Sequence, residues 1–148
     1  MVTENMTTET AYKEALLDHY RNPRNKAETG DAQVVRRGRN PRCGDDIEIG
    51  VDFEGDHLQR VRFRGRGCSI CIASASMMTE AATGKTREEV RGLTDFVTRW
   101  FGDDSAADSE APGVLRPLSP VRQMRARRRC VLLAWEALSE ALATRGAA

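Results

Sequence analysis

Residues 47–64 alternate so regularly that a one-faced antiparallel hairpin is the fold element they fit best. Ile47, Ile49, Val51 and Phe53 occupy every second position, with Glu48, Gly50 and Asp52 between them. After Glu54-Gly55-Asp56, Leu58, Val61 and Phe63 continue the apolar side, while Arg60, Arg62 and Arg64 supply the other. Strand side chains point alternately to opposite faces, so this pattern buries one face and leaves the other in water. The short Gly-containing break predicts the hairpin connection, and Gly65-Arg66-Gly67 stops the second strand.

A half-buried sheet needs a cover, and the flanking sequence offers helices. Tyr12, Ala15, Leu16 and Tyr20 predict an amphipathic helix over Thr10–Tyr20, weakly capped because Lys13 stands where a capping box wants Glu. Asn22-Pro23 ends it, since the residue before proline avoids the helical region. Residues 1–9 read as a disordered tail. Residues 23–42, rich in Gly, Asn and Arg, allow a short strand at Gln33–Arg36. The small residues of 69–83 predict a helix packed close to a neighbour, ended by Gly84. Thr86 and Glu89 form a capping box for a further helix to about Phe101. The acidic, Ala- and Ser-rich stretch 102–113 predicts a mobile loop. A last helix over Pro120–Ala143 carries the stripe Val121, Met124, Val131, Trp135, Leu138 and Leu142. Strands first and helices later give an α+β class. At 148 residues the chain is long enough for one domain, 1–148, with a real core.

Charge and hydropathy narrow the function classes. The formal net charge is +1, which argues for neither nucleic acid nor an anionic membrane. The arginine-rich strings have few interleaved aromatics, so RNA binding is disfavoured. No apolar run can span a bilayer, and the polar, acidic start lacks the form of a secretory signal. The expected location is the cytoplasm, where thiols stay reduced.

Four cysteines therefore point to metal or redox chemistry, with a small buried hydrophobe as the bland alternative for each. Cys43 lies in Pro41-Arg42-Cys43-Gly44-Asp45, Cys68 opens a helix after Gly67, and Cys130 follows three arginines inside the last helix. A helix start favours a thiolate at Cys68. Asp45, beyond the permissive Gly44, is a plausible oxygen ligand. Three thiolates and one carboxylate suit tetrahedral zinc. With the ion included, such a site has a formal charge of about minus two, which nearby cations such as Arg127 would offset. Spacing alone leaves this open, because there is no repeated C-x-x-C pair. Cys68 and Cys71 also match a redox C-x-x-C, but a thioredoxin-type motif belongs after the first strand of a βαβ unit. Cys71 reads best as a buried small residue, one turn from Cys68 and so still a possible spare ligand or oxidation partner. His19 reads best as a helix-end histidine facing last-turn carbonyls, and His57 as an exposed turn residue.

Four strings, LLDHYRNPRN (16–25), NPRCGDDI (40–47), GRGCSICIASASMMTEAATGK (65–85) and ARRRCVLLAWEAL (126–138), resemble the NifU-like, or IscU/SufU, iron–sulfur cluster assembly proteins. The likeness is collinear from about Tyr12 to Leu142. It implies an α+β fold with a small three-stranded antiparallel sheet covered by helices. It also implies a site of Cys43, Asp45, Cys68 and Cys130. The IscU branch has His directly before the third cysteine, where this chain has Arg129. The SufU branch has an insertion between the second and third cysteines, matching 102–113, and an arginine matching Arg127.

The resemblance thus implies a SufU-type, zinc-binding acceptor in which Cys43 takes persulfide sulfur from a SufS-like cysteine desulfurase. The sulfur would pass to a SufB-type scaffold or a reducing thiol. On that reading the chain is a zinc-dependent sulfurtransferase, with Cys43 and Arg127 as its catalytic residues. The alternatives are a non-enzymatic IscU-type scaffold carrying a transient [2Fe-2S] cluster and a structural zinc module. Cys71 departs from the SufU pattern, which has Ser there, and the resemblance gives it no role.

Overall fold

The computed structural model describes residues 2–102 and 107–147. The chain runs α1 (Val2–Arg21), β1 (Val34–Asn40), β2 (Asp45–Glu54), β3 (His57–Arg66), α2 (Ser69–Ala82), α3 (Arg87–Gly102) and α4 (Arg125–Ala147). Three strands form one antiparallel sheet in the order β1-β2-β3. This is the expected α+β architecture. Ile47, Ile49, Val51, Leu58, Val61 and Phe63 are fully buried, so the alternation did select the core face.

On that face α4 packs against β1 and β2, and α2 packs against β3 and α4. α1 lies on α2, and α3 lies on α4. Val131, Trp135 and Leu138 of α4 are buried with Trp100 and Phe101 of α3. The Trp100 ring meets Phe96 at 5.2 Å and Phe101 at 5.1 Å. Thr86 and Glu89 cap α3 reciprocally, each backbone amide bonding the other's side chain at 2.9 and 3.1 Å.

Several details differ from the sequence reading. β1 is a full seven-residue strand reaching Asn40, longer than the fragment at 33–36, because it pairs along its whole length with β2. The helix expected from Thr10 runs back to Val2, and no Gly or Pro interrupts 2–9, where a disordered tail is expected. The last α-helix begins at Arg125, not Pro120. The preceding Gly113–Gln123 is 3-10 helix holding Pro117 and Pro120, which lack the N–H an α-helix interior requires. Met124 at this junction is exposed, while Val121 stays buried. Of the acidic stretch 102–113, residues 103–106 lie outside the described residues. Asp108–Glu110 forms a 3-10 turn anchored by the Trp100 indole donating to Asp108 at 2.9 Å.

The second sheet face is drier than its arginines suggest. Arg62 is only 4% exposed. Its guanidinium bonds the Glu28 carbonyl at 2.9 Å, Asp31 at 2.9 Å and Asp52 at 3.2 Å. Residues 28–32 fold over the sheet there, with Thr29 and Ala32 resting against Gly50. Charged strand residues can thus mark a covered face when acidic partners arrive from a distant loop.

His19 is also buried, and it faces α2, not the last-turn carbonyls. Its Nδ1 pairs with Ser76 Oγ at 2.7 Å, and its Nε2 lies 3.5 Å from Glu80. Burial, with Arg24 adding, pushes its pKa below the ordinary value, against the opposing pull of Glu80 and Asp18. The unfolded chain then takes up this proton first, so acidification through about pH 6.5 removes stability. Urea unfolding at about pH 8 and about pH 5.5 should show a smaller loss for His19→Gln than for the native chain. Identical losses would remove His19 from the account.

Candidate metal centre

One rim of the sheet collects the ends of several elements. Residues 41–44 join β1 to β2, and the amides of Cys43 and Gly44 both donate to the Asn40 carbonyl, at 3.1 and 2.9 Å. Gly44 adopts φ 75°, a left-handed conformation that a Cβ disfavours. The turn leaves Cys43 exposed and Asp45, two residues on, only 2% exposed. The Asn40 side-chain amide lies 3.5 Å from Cys43 Sγ.

The second contribution comes from the end of β3. Arg66 is paired with Asp46 of β2, so the following Gly67-Cys68 enters α2 alongside Asp45. The Cys68 amide donates to Asp45 Oδ1 at 3.0 Å. Cys68 is the N-cap of α2, its sulfur accepting from the Cys71 amide at 3.4 Å.

The third comes from α4, which sits very close to the sheet. A Cβ on Gly38 would stand 2.8 Å from the Leu133 carbonyl oxygen, so the absence of a side chain lets the helix backbone down onto β1. Ser74 Oγ donates to the Val131 carbonyl at 2.8 Å and accepts from the Trp135 indole at 3.2 Å. These bonds fix α4 to α2 one residue past Cys130, which is buried.

The result is a donor cluster. Cys43 Sγ, a carboxylate oxygen of Asp45 and Cys130 Sγ all lie within 4.8 Å of one another. Cys68 falls outside that mutual set but adjoins it through its bond to Asp45. Burial first, then contacts with Asp45 and Cys68, pushes the Cys130 thiol pKa well up. A thiol so placed keeps its proton until a cation displaces it. Arg127 is exposed, and its guanidinium faces Cys68 and Cys130, with Cys68 the larger cause of its raised pKa. The two following arginines turn elsewhere: Arg128 donates to the Arg122 carbonyl at 2.8 Å, and Arg129 pairs with Glu136 at 2.6 Å.

Asp45 tests whether a cation fits. Its Oδ1 takes the Cys68 amide, whereas its Oδ2 is buried and has no hydrogen-bond partner. An unsatisfied buried carboxylate oxygen costs about 1–3 kcal/mol or more. A metal ion ligated by that oxygen and the adjoining sulfurs would remove the cost. Sulfur and carboxylate donors together suit zinc or an iron–sulfur centre.

The sequence reading expects Cys71 to be a buried residue one turn from Cys68; its closeness to Asp45 and the part played by Gly67 were not legible there. Cys71 is buried and stands beside the cluster. Burial chiefly, then Asp45, Cys68 and Cys43, pushes its thiol pKa well up. Gly67 makes room at the site: a Cβ there would lie 2.9 Å from Cys71 Sγ and 3.0 Å from Asp45 Oδ1. The Gly67-Cys68-x-x-Cys71 string was the available signal.

Comparison with known proteins agrees with the geometry. The family model described as NifU-like N terminal domain matches residues 11–99. The zinc-dependent sulfurtransferase SufU of Bacillus subtilis is 37% identical over 139 residues, covering 94% of each chain. The iron-sulfur cluster assembly scaffold protein IscU of Streptococcus pyogenes is 36% identical over 132 residues, 88% of this chain and 82% of that one. A crystal structure from Fervidobacterium islandicum, described as a candidate iron-sulfur cluster assembly scaffold for the SUF system, superposes with TM-score 0.79. Its identity is 27%, and the match covers 87% of this chain and 94% of that one. The N-terminal part of a NifU-like protein from Brucella abortus shares the fold, with TM-score 0.82 at 19% identity over 92% and 94% of the chains.

Proposed function

The chain belongs to the family of NifU-like N-terminal domains, and from that premise we propose that it is a SufU-type sulfur acceptor for iron–sulfur cluster assembly. Cys43, Asp45, Cys68 and Cys130 would hold a zinc ion. The observation that carries the reading is the buried, unpartnered Oδ2 of Asp45 beside the Cys43 and Cys130 sulfurs. Zinc bound there would supply ordered, deprotonated sulfur ligands.

The chain's own residues divide the remaining work. Cys43, exposed on the β1–β2 connection, is the sulfur a docked partner reaches most easily. Its thiolate attacks the outer sulfur of a persulfide on a SufS-like cysteine desulfurase. The donor's S–S bond breaks, the donor cysteine leaves as thiolate, and Cys43 carries the new persulfide. Arg127 offsets negative charge at Cys68 and Cys130. The sulfur then passes to a SufB-type scaffold or a reducing thiol. The reading treats 1–148 as one cytoplasmic domain, with 102–113 as a family-specific insertion. No helix among the described residues is long and apolar enough to cross a membrane.

Arg129 in place of a histidine before Cys130 favours this branch over a scaffold that builds clusters on itself. The scaffold reading has its own support in the Streptococcus pyogenes relative and in thiolates' affinity for such clusters. Metal analysis after anaerobic purification separates the two. The acceptor reading expects a colourless protein with stoichiometric zinc that accelerates a SufS-like desulfurase. A brown protein that passes its cluster to an apo-acceptor supports the scaffold. Zinc whose removal unfolds a chain indifferent to desulfurase marks a structural zinc module.

A further inference from the structure

The centre has more donors than a tetrahedral ion can use. Cys43, Asp45, Cys68 and Cys130 already make four, yet a further thiol, Cys71, is buried beside Gly67 and Asp45, just outside the donors that lie within 4.8 Å of one another. Cys68 and Cys71 have the two-residue spacing by which C-x-x-C pairs chelate one metal. The local backbone is arranged for that: Cys68 caps α2 and accepts the Cys71 amide at 3.4 Å. Helical side chains lean toward the N-terminus, and Cys71 accordingly reaches back over Gly67. Its sulfur and Asp45 Oδ1 both sit within 3.0 Å of the point where a Gly67 Cβ would stand. Gly67 therefore keeps open the space between Cys71 and the aspartate, whose Oδ2 is buried without a partner.

We propose that Cys71 is an alternate metal ligand, entering the coordination sphere from the core side when Cys43 leaves it on the solvent side. The proposal rests on the metal-binding reading above and deepens it. In the exchange the metal–Cys43 bond breaks and a metal–Cys71 bond forms. The proton on the Cys71 thiol goes to solvent or to the departing Cys43 thiolate. One thiolate replaces another, so the formal charge of the site is unchanged. Cys43 is then free to hold or deliver sulfur while the ion keeps four ligands.

Two properties suit the residues to these parts. Cys43 lies in a connection held by its Asn40 bonds and is exposed, so it can swing away without disturbing the core. Cys71 begins the buried part of α2, which continues without a break to Thr79, so it moves only by side-chain rotation. A buried thiol kept away from solvent is also spared partner attack and oxidation.

Cobalt(II) reports the number of bound thiolates through its sulfur-to-metal charge-transfer absorption. Native protein loaded with cobalt(II) should show three. Cys43→Ala should still show three, and its zinc affinity should stay within about tenfold of native. Cys43→Ala combined with Cys71→Ser should lose about one third of the absorption per cobalt and bind zinc about tenfold to 100-fold more weakly than Cys43→Ala alone. Cys71→Ser and Cys71→Ala on their own should leave thiolate count and zinc affinity as in the native chain, with far-ultraviolet circular dichroism confirming the fold. If Cys43→Ala shows only two thiolates, or if adding Cys71→Ser to it changes nothing, the alternate ligand is refuted while the metal site stands. Native protein that binds neither cobalt nor zinc would instead overturn the reading beneath it.

Discussion

Protein carrying Cys43→Ala leaves a SufS-like desulfurase at its basal turnover, whereas native protein accelerates it. The expected drop in the stimulated component is on the order of 10²-fold or more, as for other essential nucleophiles. Among the four sulfurs near Asp45, only Cys43 is exposed; Cys68 is half-buried, and Cys71 and Cys130 are buried. Accepting a sulfur atom requires a thiolate to approach a persulfide on another protein's surface, which a buried sulfur such as that of Cys130 in α4 cannot do. The loss should be one of chemistry and not of folding, because the residues around Cys43 form a turn whose bonds run between backbone atoms of Asn40, Cys43 and Gly44. Thermal unfolding of Cys43→Ala should therefore match native protein loaded with the same zinc. Turnover measured with the variant across a range of concentrations checks the claim, and full stimulation by it would end the role given to Cys43.

How much of this was readable beforehand depended on whether the signal was local. The alternation over 47–64 fixed the hairpin and its core face, because burial in a strand has period two. The capping box at Thr86 fixed the start of α3, because its two hydrogen bonds join residues three apart. Arg62 was misread as solvated, since its partners Glu28 and Asp31 arrive from a loop some thirty positions earlier and leave no trace near it. His19 was misread for the same reason, its partner Ser76 lying on another helix. At the site, Cys43 and Asp45 were visible as a pair. Their meeting with Cys130 depends on how closely α4 approaches the sheet, and that is set by Gly38, a residue with no chemistry of its own. Resemblance to a family filled the gap that spacing left, and the geometry of Asp45 then gave an independent physical reason for the same cluster. Cys71 shows the converse. The family pattern assigned it nothing, and its position became informative only with Gly67 and Asp45 around it.

Gly65→Ala should cost about 3 kcal/mol or more of stability and weaken metal binding in whatever remains folded. Gly65 holds φ 132°, a conformation that is costly for any residue with a Cβ. The added carbon would also stand 2.1 Å from the Asp46 carbonyl oxygen and 3.1 Å from the Ile47 Cα. Both clashing atoms are backbone of the central strand, so no side-chain rotation relieves them. Gly65 pairs with Ile47, and the adjoining Arg66 with Asp46, so the strand ends would have to separate at the rim that bears the site. Asp45 precedes the displaced carbonyl by one residue, and Cys68 follows Gly65 by three. Their 3.0 Å hydrogen bond would stretch with the strands, which is why affinity and stability should fall together. Gly30→Ala is the control, because nothing lies within 4 Å of its added carbon, and it should stay within about 0.5 kcal/mol of native. Urea unfolding of both variants, with zinc titration of each below its transition, measures the two effects. Native-like stability in Gly65→Ala would mean that β2 and β3 do not approach so closely, and with that the placement of Cys68 beside Asp45 would fail.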